Sequence, residues 1–204
     1  MKKNTGVVCA ISLAILAGTF IEELHAARYT IDPDAKGNRV TFLSKAPLES
    51  FEGTTSHVSG YVVVDPTHVT GKVSLHFEVD LESLDTGKSK RNKHMRERHL
   101  ETDTYPTATF SGATIVEGSA AKLVAGTLTT FDLEGDFEIH GVVRRMIVHA
   151  EVTLSTDGGH EALHIVARFD VALSDYDISR PRFLFMKLND IQKVTVELTA
   201  VLTQ

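Results

Sequence analysis

The sequence predicts an all-β protein whose antiparallel strands form a sandwich or a barrel, and three observations support this prediction. Apolar and polar residues alternate with period two along several long runs, which is the pattern of strands with one buried face. Turn-forming residues separate these runs at short spacing, as they do in antiparallel sheets. Only one segment, residues 85–104, has the composition of a helix with loops around it.

The alternating runs locate the strands. In the first long run, apolar residues from Val73 to Leu81 alternate with polar ones. The other long runs are residues 146–154, 163–173 and 194–202. Shorter candidate strands are residues 39–43, 57–64, 108–116, 123–133 and 135–143.

Turn chemistry separates these strands. Asp157-Gly158-Gly159 predicts a tight hairpin, because both glycines tolerate a positive φ. Asp65-Pro66 should end the run before it. Four further glycines are expected to punctuate the middle of the chain: Gly112, Gly118, Gly126 and Gly135.

The segment of residues 85–104 is predicted to form a short helix with flanking loops. It is strongly basic, since it contains Lys88, Lys90, Arg91, Lys93, Arg96 and Arg98. Met95 and Leu100 are its expected buried side. The basic side chains indicate either a solvated helix face or a mouth that attracts an anionic head group or lipid surface.

The first 26 residues have the pattern of a secretory signal peptide. Lys2 and Lys3 precede an uncharged apolar run, residues 6–21, and Ala26 offers a small residue at a cleavage site. Cleavage after Ala26 or Ala27 would leave one domain, residues 27–204. An uncleaved membrane anchor is the alternative. The cleaved form is expected in the bacterial periplasm or secreted.

Cysteine usage and charge exclude several classes of protein. The single cysteine, Cys9, lies within the signal segment, so the mature chain should contain no thiol and no disulfide. The formal net charge of −6 disfavours binding to nucleic acid, which usually requires a basic surface.

The amphipathic strands must bury their apolar faces against another sheet or by closing on themselves. There are too few helices to cover an open sheet, and closure also removes exposed edges. A barrel of about eight strands either fills with side chains or holds one small ligand. Tryptophan is absent and the apolar residues are of modest size, which favours a cavity. A filled sandwich core would explain the alternation equally well.

A set of short motifs is similar to those of a known family. They are Leu-Asp-Thr-Gly at 84–87, Lys-Arg-Asn-Lys-His-Met at 90–95, Tyr-Pro-Thr-Ala-Thr-Phe at 105–110, Gly-Thr-Leu at 126–128, Phe-Glu-Ile-His-Gly-Val at 137–142, Phe-Asp-Val at 169–171, Ser-Asp-Tyr at 174–176 and Leu-Asn-Asp at 188–190. In this order they resemble the YceI-like family of exported lipid-binding proteins, over nearly all of the mature chain.

The resemblance implies a lipocalin-like antiparallel β-barrel with one short helical insertion and a long apolar cavity. It also implies a ligand, because relatives carry isoprenoid chains, including polyprenyl and quinone-type lipids, or other amphiphiles. The sequence departs from the common pattern at Asn92, where many members have Asp. It departs again at residues 42–55, where many members have a histidine-containing pattern, and this indicates a different branch of the family.

The expected ligand-binding residues are the inward-facing apolar side chains and two residues of the helical segment. They are Phe42, Phe77, Val79, Leu81, Phe110, Phe137, Ile139, Ile165 and Phe169, together with Arg91 and Met95. Burial of apolar surface would be the favourable term, at about 25 cal/mol per Å². The alternative is that these side chains pack on one another. Arg91 lies in a matching motif and is expected to tie the helical segment to the barrel.

Metal binding and catalysis have little support in the sequence. Ten histidines are present, but no spacing matches a zinc site. No Gly-x-Ser-x-Gly elbow and no phosphate-binding glycine loop occur. We therefore expect no enzyme activity, no metal and no cofactor other than a bound lipid. His140 is expected to have a structural role at a strand end.

The leading hypothesis is a passive carrier or storage protein for an isoprenoid or other amphipathic lipid. Its expected partners are the lipid ligand and, transiently, a membrane surface, with no nucleic acid and with a homodimer left open. A structural or protein-interaction barrel of the cell envelope, with a filled core and no lipid cargo, is the alternative. An enzyme that acts on a lipid inside the barrel is the third hypothesis.

Overall fold

The computed structural model describes residues 26–33, 35, 37–45, 50–157, 160–183 and 186–203. The described chain is mostly β-strand. The strands are β1 (Ala27–Ile31), β2 (Arg39–Lys45), β3 (Ser50–Thr55), β4 (Val58–Val64), β5 (Ser74–Asp80), β6 (Thr107–Gly118), β7 (Leu128–Ile139), β8 (Val142–Asp157), β9 (His160–Ala172), β10 (Arg182–Phe183), β11 (Met186–Lys187) and β12 (Ile191–Leu202). One short helix, α1 (Ser89–Met95), runs directly into a π-helical turn (Arg96–Leu100), and a 3₁₀ turn (Leu173–Tyr176) follows β9.

Eight antiparallel strands close into a barrel in the order β1-β4-β5-β6-β7-β8-β9-β12, and β12 pairs back onto β1. Strand β12 has two partners on its closing edge. Its end pairs with β1, where Ala200 faces Ile31, and its first half pairs with β2, where Val194 faces Phe42. Strand β3 pairs with β2 and extends the wall beyond the end of β1. The predicted antiparallel barrel with one short helical insertion is confirmed.

Two of the predicted strand boundaries are wrong. Residues 123–133 and 135–143 were expected as separate strands, but Gly135 lies inside the continuous strand β7. Gly112 also lies within a strand, β6, where its φ of 64° coincides with a shift of register after Ser111. A period-two pattern with a glycine does not by itself distinguish a turn from a bulge or from a close contact.

Strands β1 and β3 did not stand out in the sequence. Strand β1 is only five residues long, and β3 reads Ser-Phe-Glu-Gly-Thr-Thr, with one apolar side chain. Strand β1 is specified by pairing with β4 and the distant β12, and β3 by pairing with its neighbour β2, rather than by their own alternation. The hairpin glycines Gly158 and Gly159 lie outside the described residues, although Asp157 and His160 on either side of them are paired.

The real reversal between β7 and β8 is at His140-Gly141. Both residues have positive φ, 55° and 72°, as a two-residue type I′ hairpin requires. The His140 ring lies 4.7 Å from the Tyr105 ring, centroid to centroid. A Cβ atom at Gly141 would lie 2.6 Å from that same Tyr105 ring. Glycine is therefore needed here both for the backbone and for the packing of Tyr105.

The buried apolar side chains form two clusters inside the barrel. The larger one, called the main cluster here, includes Tyr29, Ile31, Phe131, Val148 and Leu163. The smaller one, called the cap cluster, consists of Leu81, Leu84, Leu100, Ala108, Phe137, Val171, Tyr176 and Ile178. The cap cluster lies at the barrel end that the helical segment and the 3₁₀ turn cover.

The helical segment is fixed to this end by apolar and polar contacts. As predicted, Leu100 is buried in the cap cluster and Met95 packs against it. The Arg91 guanidinium lies 3.9 Å from the centroid of the Phe51 ring on β3, and its Nε donates a hydrogen bond to Thr86 Oγ1. The amide of Asn92 accepts from the backbone N–H of Thr86 and donates to Asp85 Oδ1 at 2.7 Å.

The expected signal peptide lies outside the described residues, since residues 1–25 are not among them. It stays a prediction. Within the described part of the chain, no helix is long and apolar enough to cross a membrane.

We expect Gly141→Ala to lower the free energy of unfolding by about 1–3 kcal/mol, because the added β-carbon would strain the positive φ and press on Tyr105. Urea unfolding measures this loss. Gly126→Ala is the matched control, since Gly126 has a similar φ of 74° and open space where the Cβ atom would lie. Equal losses in the two variants would show that the Tyr105 contact contributes nothing.

Candidate functional site

The interior of the barrel is not equally filled along its length. Inward-facing side chains such as Ile31, Leu163 and Leu198 are almost completely buried at the main cluster. Between the two clusters, eight apolar side chains remain partly exposed although they pack against the core. These residues, called the chamber here, are Phe42, Phe77, Val79, Phe110, Met146, Phe169, Val194 and Val196.

Four of the chamber residues show where it lies. Phe110, Met146, Phe169 and Val194 each pack against both the main cluster and the cap cluster. A side chain that contacts both clusters and still keeps accessible surface must border space that neither cluster fills. The chamber is therefore an apolar, incompletely filled level of the barrel between two packed ends.

Phenylalanines ring the barrel at this level in two rows of directly opposed residues. In the first row Gly53, Phe42, Val194 and Phe169 are successive partners across β3, β2, β12 and β9.

In the second row Gly60, Phe77, Phe110 and Phe137 are partners across β4, β5, β6 and β7. The two rows meet where the rings of Phe137 and Phe169 stack edge to face, 5.5 Å apart. The five phenylalanines of the rows, called the phenylalanine belt here, are Phe42, Phe77, Phe110, Phe137 and Phe169.

The belt follows from period two and from register together. Opposed residues of an antiparallel pair project from the same face of the sheet. Once Phe42 faces inward on β2, its partners Val194 and Gly53 must face inward as well. Aromatic rings at this level supply large apolar surface with few rotatable bonds, which suits contact with an apolar ligand.

A comparison with known protein families identifies the chain. A model of the YceI-like domain matches residues 29–201. The chain belongs to the YceI-like family. A UPF0312 protein of Vibrio parahaemolyticus is 28% identical over 185 residues, which cover 87% of this chain and 89% of that protein. Protein YceI of Shigella flexneri is 27% identical over 190 residues, covering 87% of this chain and 88% of the relative.

Solved structures share the YceI fold at low identity. A polyisoprenoid-binding domain from Saccharophagus degradans, implicated in plant cell wall breakdown, matches with a TM-score of 0.66 and 17% identity. The match covers 87% of this chain and 99% of that one. BcnA of Burkholderia cenocepacia matches with a TM-score of 0.62 and 22% identity, covering 83% of this chain and 99% of BcnA.

The YceI barrel places the predicted ligand-binding residues in four environments. Phe42, Phe77, Val79, Phe110 and Phe169 line the chamber. Leu81 and Phe137 are buried in the cap cluster, and Met95 and Ile139 pack against it. Ile165 is only 8% exposed, within the main cluster. Arg91 lies outside the chamber, where it stacks on Phe51.

Three chamber residues were not among the predicted ones: Met146, Val194 and Val196. All three belong to alternating runs that the sequence shows clearly, so their inward direction was predictable. Their place at the chamber was not, because it depends on how strands far apart in sequence are aligned.

Polar groups are concentrated outside the chamber, around the helical segment. A surface cleft of about 560 Å³ lies there, and none of the chamber residues lines it. Its walls include Glu82, Asn92, Lys93, Arg96 and Glu101. Among the described residues, no group of three or more His, Cys, Asp or Glu side chains is arranged to hold a metal ion.

Polar contacts with Ser179 join the two parts that cover the cap cluster. His99 Nδ1 of the π-helical turn donates to the carbonyl oxygen of Ser179 at 2.8 Å, just beyond the 3₁₀ turn. Burial lowers the pKa of His99, and the nearby His94 and Arg98 lower it further, although the Ser179 carbonyl acts in the opposite direction. Burial of His99 therefore favours the neutral form of its imidazole.

We expect the burial of His99 to make the barrel less stable in mild acid. A histidine with a lowered pKa in the folded state binds fewer protons than in the unfolded chain. Its contribution is present above the unfolded pKa of about 6.5 and is lost as the pH falls through the folded value. Urea unfolding at pH 5 and pH 7.5 should show a larger loss for the wild type than for His99→Gln. Equal losses would contradict the expectation.

Proposed function

We propose that this YceI-family protein is a non-catalytic binding protein that holds an isoprenoid or other amphipathic lipid in the chamber. One observation carries the proposal: apolar side chains facing the barrel interior keep accessible surface between two well-packed clusters. Pockets for small ligands are concave and mostly apolar. The description of the Saccharophagus degradans structure as a polyisoprenoid-binding domain supports the same ligand class.

The binding free energy would come from the apolar chain of the lipid. Burying roughly 300 Å² of apolar surface contributes about 7.5 kcal/mol at 25 cal/mol per Å², before the entropy lost by the chain is subtracted. The eight chamber side chains present no charge to the ligand. A lipid would therefore keep its polar head outside the chamber and its apolar chain within.

The head group has basic residues close to the capped end of the barrel. Lys90, Lys93 and Arg98 are exposed on the helical segment, and Lys93 lies 3.8 Å from Glu97. Exposed cations attract anionic head groups and anionic membrane surfaces over about one Debye length, so this contact would be weak and salt-dependent. We propose that residues 88–105 control exchange and touch the membrane transiently.

We propose a location in the periplasm or the medium, which the signal-peptide pattern of residues 1–26 supports. Removal of residues 1–26 after export would release a barrel of residues 27–204 into the periplasm or the medium. A lipid carried there would cross an aqueous compartment with its chain sheltered, and no chemical step is required.

Mass spectrometry of an organic extract tests the proposal directly. We expect the mature protein, purified gently from its own host, to contain a lipid with a long apolar chain at close to one molecule per barrel. Absence of lipid, combined with no uptake of prenyl or acyl amphiphiles, would instead favour a filled barrel that binds another protein.

Phe169→Asp tests the chamber itself. A carboxylate at this level would have to enter an apolar space, so we expect lipid affinity to fall by at least about tenfold. Ile147→Asp is the matched control, because Ile147 is 56% exposed on the outer face of β8. Circular dichroism checks folding, and Val196→Asp replaces the variant if it does not fold. Unchanged lipid binding in a folded Phe169→Asp protein would show that the chamber is not the site.

A further inference from the structure

Gly53 provides the space in which the Phe42 ring lies. The two residues are direct partners on β3 and β2. A Cβ atom on Gly53 would lie 2.2 Å from Phe42 Cε1 and 2.5 Å from Cζ. The ring therefore occupies the position that a side chain at residue 53 would take, and it lies across the barrel wall instead of projecting into the interior.

The glycine at this position is not explained by the backbone. Gly53 lies in the regular part of β3, and it does not have the positive φ that Gly112 or Gly141 has. Its hypothetical Cβ atom would meet the Phe42 side chain and no backbone atom among its nearest neighbours. What glycine gives here is room for the ring.

A second belt phenylalanine is accommodated in the same way. A Cβ atom on Gly135 of β7 would lie 2.5 Å from Phe110 Cζ and 3.0 Å from the backbone oxygen of Ser111, so the Phe110 ring also rests on a glycine of the neighbouring strand, with the backbone close to it as well. A third pair, Gly118 and Phe131, shows the arrangement outside the chamber, with the hypothetical Cβ atom 3.0 Å from the ring. Phe131 is only 4% exposed in the main cluster.

A ring displaced from Gly53 would have to move toward the chamber. On the side of the next inward-facing residue of β3, the Phe51 ring packs edge to face against Phe42, with centroids 6.2 Å apart. Phe51 is itself covered by the guanidinium of Arg91. The Phe42 ring is blocked on one side by the barrel wall and on another by the stack of Phe51 and Arg91. It can move only toward the partly filled interior.

We propose that Gly53 and Gly135 determine the ligand specificity of the chamber by keeping the Phe42 and Phe110 rings against the wall. With both rings against the wall, the chamber is wide enough for a methyl-branched prenyl chain, which is thicker than a linear acyl chain. Adding one methyl group at residue 53 narrows the chamber, and pockets discriminate single methyl groups by about tenfold or more. This inference rests on the proposed lipid-binding function.

The test uses competition against cis-parinaric acid, a linear fluorescent probe, in the mature protein. Geranylgeraniol is the branched competitor and hexadecanol is the linear one. In Gly53→Ala we expect the affinity for geranylgeraniol to fall about tenfold relative to hexadecanol. Removing the ring in the double variant Phe42→Ala/Gly53→Ala should raise the ratio of geranylgeraniol affinity to hexadecanol affinity at least back to the wild-type value.

Two further variants keep the test decisive. Gly118→Ala makes the same kind of substitution under Phe131, outside the chamber, and should leave the ratio unchanged. Phe42→Ala alone introduces no clash and should shift the ratio in favour of geranylgeraniol, which carries the test if Gly53→Ala does not fold.

The outcomes separate this inference from the proposed function. A wild-type protein that binds neither competitor would overturn both. The glycine assignment alone would be overturned if the wild type binds but Gly53→Ala leaves the ratio of the two affinities unchanged. The same holds for an unchanged ratio in Phe42→Ala, where that variant replaces Gly53→Ala because the latter does not fold. Failure of the double variant to restore the ratio would also overturn it, because the loss would then not act through the Phe42 ring.

Discussion

The pairing of strand β12 with three other strands is the constraint on which the rest of the structure depends. On one edge β12 aligns with β9 over eleven residue pairs, and on the other it is divided between β1 and β2. This arrangement closes the sheet, so that every amphipathic strand turns its apolar face to one common interior. A shift of register by one residue would turn each inward side chain of β12 to the solvent.

Closure also explains how a chamber and two packed clusters occur in one barrel. The inward faces at the main cluster carry mostly aliphatic side chains, which fill the interior at normal density. At the belt, large rings alternate around the wall with glycine and valine, as in the row from Gly53 to Phe169. Rings that lie along the wall leave the centre less filled, and the helical segment and the 3₁₀ turn cover the end beyond them.

The sequence was informative wherever the determining interaction is local. Alternation correctly separated the inward Ile165 and Val196 from their outward neighbours, and the basic segment was correctly recognised as the helical insertion. It was misleading at Gly135, because the sequence alone does not distinguish a glycine that makes room for the Phe110 ring from a glycine that forms a turn. The belt could not be derived, since the opposition of Phe42 and Val194 depends on pairing between strands about 150 residues apart. Even the family motifs indicate which residues recur without indicating which of them border open space.

The division of β12 between two distant partners has a consequence for folding kinetics. Thr30 and Thr203, whose hydroxyl groups lie 3.0 Å apart at the seam, are separated by 173 residues. Contacts of such long sequence separation form late and slow the folding of β proteins. Until β12 docks, β1 and β9 present unpaired backbone edges that invite association with other chains. Closure of the barrel is therefore slow, but the native state that it produces has those edges paired. A folding defect that prevents pairing at the seam between β12 and β1 would leave the edges exposed and lead to aggregation.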